Sequence, residues 1–116
     1  KAPIAPLGLS NGARAGLTGF IGGLARQIAE HNVTINGLLP GLFATERLLG
    51  PGFAAAKNNG GGVSDALGAM VQNVPARRLG DPAEFGEACA FLCSVHAGYI
   101  TGQNVLMDGG FVNSSI

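Results

Sequence analysis

With 116 residues, and seven basic and seven acidic side chains cancelling to a formal charge of zero, the chain carries no electrostatic footprint for nucleic acid or an anionic membrane surface. Charged residues are only 12%, against about 25% in an ordinary globular chain, so much of the surface is expected to be buried against something else. No apolar run approaches the roughly 20 residues of a membrane helix, which leaves a cytoplasmic protein as the default.

From about Leu7 to Glu30, the apolar residues Ala13, Leu17, Phe20, Leu24 and Ile28 recur at three and four, the period of an amphipathic helix. On an adjacent stripe Gly12, Gly16, Gly19 and Gly23 repeat at the same spacing, although each glycine costs a helix about 1 kcal/mol relative to alanine. That cost predicts the close approach of another backbone, either the chain's own sheet or a second subunit. His31 and Asn32 end the helix, and a strand follows over Val33 to Leu39.

The strand runs into Pro40-Gly41, a sharp turn followed by Leu42, Phe43 and, two residues on, the hydroxyl of Thr45. Backbone turned this way at the carboxyl end of a strand is where open α/β sheets bind ligands, because its amides are free and face outward. A plain strand-ending turn is the alternative. Residues 46–74 carry Gly-rich breaks and weak helical signals on either side, the character of a substrate lid. At Asp81-Pro82-Ala83-Glu84 the chain offers a helix cap, proline at the first helical position and a reciprocal glutamate, which predicts a helix with Phe85, Ala88, Cys89 and Leu92 on its buried face. Cys89 and Cys93 are then small buried hydrophobes on one helix face, and no further ligand is spaced to make a metal site with them.

Gln103 to Met107 reads as a second strand ending in Asp108-Gly109-Gly110, a structural turn, with a polar tail beyond. His31 and His96 fall at helix ends, where solvation or a backbone carbonyl satisfies the ring. The order of helix, strand, lid, helix and strand is that of half of a doubly wound α/β sheet. No Gly-x-Gly-x-x-Gly loop follows a strand in these residues, so the pyrophosphate cradle of a dinucleotide fold is not among them. With Lys1 in first place, the chain is expected to be a C-terminal part whose N-terminal half lies elsewhere.

The runs RAGLTGFIGGLARQIAEHNVTINGLLPGLFAT, PARRLGDPAEFGEACAFLCS and YITGQNVLMDGG, taken in order, closely resemble the C-terminal half of the short-chain dehydrogenase/reductase family, and in particular its 3-oxoacyl carrier-protein reductase-like members. The resemblance covers nearly the whole chain. It implies a Rossmann-type doubly wound parallel sheet, hydride transfer between NAD or NADP and a small ketone or alcohol such as a 3-oxoacyl thioester, and a homodimer or homotetramer. Aligned without a gap, the family pair Tyr-x-x-x-Lys falls on Ser10-Asn11-Gly12-Ala13-Arg14. Ser10 and Arg14 are therefore the implied catalytic positions. Arg14 keeps the cation that holds the nicotinamide ribose, while Ser10 replaces a phenol with a far weaker acid. For Ser10 the alternative is a helix cap, and for Arg14 a solvated or intersubunit ion pair. The family's cofactor contacts fall on Pro40, Gly41, Leu42, Phe43 and Thr45. A non-catalytic relative that keeps the fold for cofactor binding or oligomerisation, and an interaction domain acting through the glycine-lined helix, stand as further readings.

Overall fold

The computed structural model describes residues 7–50 and 63–113. Helix α1 spans Gly8–Ile28 and passes through a 3-10 turn at Ala29–His31. Asn32 ends it at φ 57°, the left-handed conformation that asparagine tolerates, with its N–H on the Ala29 carbonyl at 3.0 Å. Strand β1 is Gly37–Pro40, the short helices α2 and α3 are Glu46–Leu49 and Val63–Gln72, helix α4 is Pro82–Leu92, and strand β2 is Asn104–Met107. The Gly-rich residues 51–62 of the expected lid and the tail at 114–116 lie outside the described residues.

The two strands pair directly. Gly37 donates to the Gln103 carbonyl and Gly41 to that of Met107, both at 2.8 Å. The bonds advance in the same sense on both strands, so the pair is parallel and its connection carries helices, as an α/β crossover requires. β1 begins at Gly37 instead of Val33, because the segment before it is held by side chains.

Two compact units divide the chain, Lys1–Leu39 with Ala88–Val105, and Pro40–Glu87 with Leu106–Ile116. In the first, Asn36 splices the approaches to the strands: its amide nitrogen donates to the Ile100 carbonyl at 2.8 Å and its oxygen accepts from the Gln103 amide at 3.1 Å. Beside it, Ile35 accepts from Gly102, whose φ of +68° suits glycine, and donates to the Thr101 hydroxyl. Ala25 and Ala97 are the buried apolar residues here. In the second unit Val74 is buried, and a Cβ on Gly109, at φ +64°, would lie 2.8 Å from it.

The expected apolar face of α1 is a correction. Leu17 is 60% and Phe20 66% exposed, and Ala13 is exposed as well, while Leu24 and Ile28 are half-buried. The periodicity set the helix, but the described residues place cover only over its C-terminal turns. The glycine stripe is open too: no described atom beyond the helix's own backbone comes within 4 Å of a Cβ built on Gly12, Gly16, Gly19 or Gly23. On α4, Phe85, Ala88 and Leu92 are half-buried as expected, but Cys89 is exposed, and so is Cys93 just past the helix end. Among the described residues no helix is long and apolar enough to cross a membrane, and no three His, Cys, Asp or Glu side chains are grouped to hold a metal ion.

Because the stripe is open, Gly16→Ala is expected to stabilise the chain by about 1 kcal/mol through helix propensity alone, read by thermal melting. A loss of stability would mean that another surface occupies the stripe in the folded protein.

Candidate functional site

In the second unit the chain leaves β1 at Pro40, which is exposed, and Gly41 packs directly on the start of the Asp108 turn. A Cβ on Gly41 would lie 2.6 Å from the Asp108 Cα and 2.6 Å from its Cβ, so only glycine lets the two backbones pass. Asp108 is itself held in place. Its carboxylate accepts from the Gly110 amide at 2.9 Å and from the Val112 amide at 2.8 Å. The expected structural turn at Asp108-Gly109-Gly110 is therefore closed by its own aspartate, with Gly110 at φ +85° against Pro75.

Beyond Gly41 the chain forms a one-residue parallel bridge between Phe43 and Gly80. Gly80 donates to the Leu42 carbonyl and Ala44 to the Gly80 carbonyl, both at 2.9 Å, while the Phe43 carbonyl accepts from Thr45 at 2.8 Å. The Leu42 and Phe43 amides donate to no acceptor among the described residues. The Phe43 ring turns away, edge-on to Phe85 at 5.4 Å, and fills the space over Gly80. Thr45 is exposed, precedes α2 and makes no side-chain capping bond. Leu42, Phe43, Gly80, Glu84, Met107 and Asp108 are among the residues lining a cleft of about 220 Å³.

Glu84 supports this turn from the first turn of α4. Its two carboxylate oxygens each accept from the Arg78 guanidinium at 2.7 Å, and one also accepts from the Asp81 amide at 2.8 Å. Asp81 in turn caps the helix by accepting from the Ala83 amide at 2.9 Å. The capping box is as the sequence predicts. Arg78 is the residue that sequence reasoning missed, since nothing in a spacing of six outside a helix announces a side-chain pair. The Arg78 guanidinium first, and the Asp81 amide second, hold the Glu84 carboxyl down at about 2, and the same bond raises the pKa of Arg78.

In the first unit, Ser10 and Arg14 lie one turn apart on α1, and the Arg14 Nε donates to the Ser10 Oγ at 3.1 Å. The helix begins at Gly8 after Leu7, so Ser10 is already inside it and is not its N-cap. The bond occupies a lone pair of the serine oxygen, and its O–H donates to no acceptor among the described residues. A guanidinium beside that oxygen also favours negative charge on it.

This chain resembles known proteins along most of its length. A family model described as enoyl-(acyl carrier protein) reductase matches residues 5–112. The 3-oxoacyl-acyl-carrier-protein reductase FabG of Vibrio harveyi is 40% identical over 98 residues, which are 84% of this chain and 36% of that protein. Acetoacetyl-CoA reductase of Cupriavidus necator is 36% identical over 98 residues, 84% of this chain and 35% of that one. Among solved structures, L-sorbose reductase from Gluconobacter frateurii, complexed with NADPH and L-sorbose, superposes with a TM-score of 0.79 at 30% identity, covering 90% of this chain and 40% of that one. The chain thus spans just over a third of the length of the curated relatives it matches. The architecture shared with these structures is a Rossmann-type α/β fold, of which the residues here form a part.

Two outcomes follow from this geometry. Gly41→Ala is expected to destabilise the protein by about 1–3 kcal/mol through overpacking against the Asp108 backbone, read by urea unfolding. Because folding lowers the carboxyl pKa, the contribution of Glu84 is complete above its ordinary value of 4.5 and is lost as pH falls from there through about 2. The difference in melting temperature between the parent and Glu84→Gln should therefore be constant above that window, shrink across it and vanish below it.

Proposed function

The chain belongs to the short-chain dehydrogenase/reductase family, and on that premise we propose that the protein transfers a hydride between NAD or NADP and a ketone or alcohol, a 3-oxoacyl thioester being the favoured carbonyl substrate. The observation that carries the reading is the strand-end turn, whose Leu42 and Phe43 amides meet no acceptor among the described residues and stand beside the exposed Thr45. Those donors fit the carboxamide of a nicotinamide, with Pro40 and Gly41 shaping the turn that presents them. The names of the relatives, two thioester-linked reductases and an NADPH-complexed sugar reductase, support the same chemistry.

The nicotinamide, when bound, supplies or accepts the hydride. The residues of the chain do the rest. Arg14 offers a permanent cation and several donors to the ribose hydroxyls. On this reading Ser10 is the group that exchanges a proton with the substrate oxygen, its own oxygen held by Arg14. In reduction, a proton passes from Ser10 or a water on it to the carbonyl oxygen as the carbonyl carbon gains the hydride, and solvent returns the proton to Ser10. A serine is shorter and much less acidic than a phenol near pKa 10, so turnover by this route is slow unless a water bridges the gap. The family favours a homodimer or homotetramer, and the reaction a cytoplasmic location.

Serine and arginine in place of the family's tyrosine and lysine also favour a second reading, a relative that keeps the cofactor or the oligomer without catalysis. The test uses the full-length protein with NADPH and an acetoacetyl thioester. Since a positioned general acid contributes about 10² to 10⁴ in rate, the double change Ser10→Tyr with Arg14→Lys is expected to raise kcat far more than it alters cofactor affinity. A parent that turns over quickly and is unaffected by Ser10→Ala uses another group for the proton, and the assignment of Ser10 and Arg14 then fails. NADPH binding without turnover selects the second reading.

A further inference from the structure

The segment with the open amides has an unusual support. Beyond the local Thr45–Phe43 bond, the backbone partner of residues 42–44 among the described residues is Gly80, through its amide and its carbonyl. Gly80 in turn is flanked by two anchored positions. Arg78, two residues before it, forks onto the Glu84 carboxylate, and the Asp81 amide, one residue after it, donates to the same carboxylate. Arg78 also reaches the Leu79 carbonyl at 3.2 Å, which stiffens the stretch between. No side chain can replace the glycine hydrogen, because a Cβ there would fall 2.6–3.0 Å from the Phe43 ring, and that ring is braced on Phe85, the residue after Glu84.

A capping box alone needs only Asp81 and Glu84. Here both oxygens of Glu84 are committed to Arg78 as well, and the fork lies on the chain segment that carries the bridge to residues 42–44. We propose that Arg78 and Glu84 are positioning residues, a clip that holds Gly80 and through it fixes the Leu42 and Phe43 amides where the nicotinamide carboxamide is to bind. The clip acts through the backbone of its neighbours. In its functional part this rests on the reading given under Proposed function.

Arg78→Met removes the fork and spares the helix cap, and Glu84→Gln keeps an acceptor oxygen for the Asp81 amide while removing the charge. Amide hydrogen exchange of the full-length protein is followed with no cofactor present. Losing a charge-assisted bond at the end of a short bridge is expected to speed exchange of the Ala44 and Gly80 amides by roughly tenfold in either variant. The Gly37 and Gly41 amides, which donate to Gln103 and Met107, should keep their parent rates. In turnover with NADPH and an acetoacetyl thioester, kcat should fall while the cofactor KM holds. Arg78→Lys, which keeps a cation against the Glu84 carboxylate and leaves the Asp81–Glu84 cap intact, should retain part of both the protection and kcat. Unchanged exchange at Ala44 and Gly80 overturns the clip, whatever the activity. Faster exchange with kcat unchanged leaves the tie mechanical and overturns its positioning role. A parent that neither binds NADPH nor reduces the thioester overturns the proposed reaction and that role with it, and it is told apart from failure of the clip because exchange is read without cofactor.

Discussion

The passage of Gly41 over Asp108 at less than a side chain's distance is the constraint on which the ligand-facing end of the second unit depends. Without a Cβ, Gly41 can donate to the Met107 carbonyl and still clear the Asp108 backbone, so the parallel pairing runs to the last residue of β2 before the chain turns. The Asp108 carboxylate then closes its own loop by accepting from Gly110 and Val112, which fixes the surface that Gly41 crosses. Residues 42–45 leave from that crossing point. Their direction is set by backbone contact, which leaves little slack in a close-packed turn, and this fixes the amides on which the proposed cofactor contact rests.

Composition and burial describe one property of this chain. Nearly half of its residues are hydrophobic, 47%, and few are charged, yet among the described residues only Ala25, Val74 and Ala97 are buried apolar side chains. Leu17 and Phe20 of α1, and Val95 and Tyr99 between α4 and β2, stand open. Burying apolar area yields about 25 cal/mol per Å², and surface left in water contributes nothing. The described contacts therefore lean on hydrogen-bonded splices, Asn36 across the strand approaches and Asp108 around its turn, more than on a packed interior.

On the proposed reading, the Ser10–Arg14 pair changes the chemistry without changing the helix that carries it. A tyrosine and lysine one turn apart provide a phenol whose acidity a nearby cation can bring toward neutrality. A serine and arginine provide an O–H and a stronger, permanent cation, already hydrogen-bonded to one another. The cation's binding role transfers readily, since guanidinium offers more donors than ammonium. The acid's role transfers poorly, because the hydroxyl is both weaker and nearer the backbone. Binding and proton transfer, normally coupled in this pair, are thereby separable.

Helix α1, the cap of α4 and the glycine turn after β1 could be read from residue order because each obeys a local rule. A period of 3.6 makes a helix wherever it is placed, Asp-Pro-Ala-Glu satisfies its own amides, and Pro-Gly turns the chain without help from distant residues. The limits of β1 could not be read, since Ile35 and Asn36 have strand-like neighbours but spend their groups on Thr101, Ile100, Gly102 and Gln103, more than sixty residues away. Nor could the exposure of Leu17, Phe20 and Cys89, because periodicity says which side chains share a face and not whether anything covers it. The candidate turn divides in the same way. Pro40 and Gly41 announce a bend, but that the Leu42 and Phe43 amides meet no acceptor among the described residues, while the Leu42 carbonyl is taken by Gly80, follows from pairing with a segment nearly forty residues on. Local propensity marks where a bend occurs; which of its polar groups stay free is settled by the partners that folding brings to it.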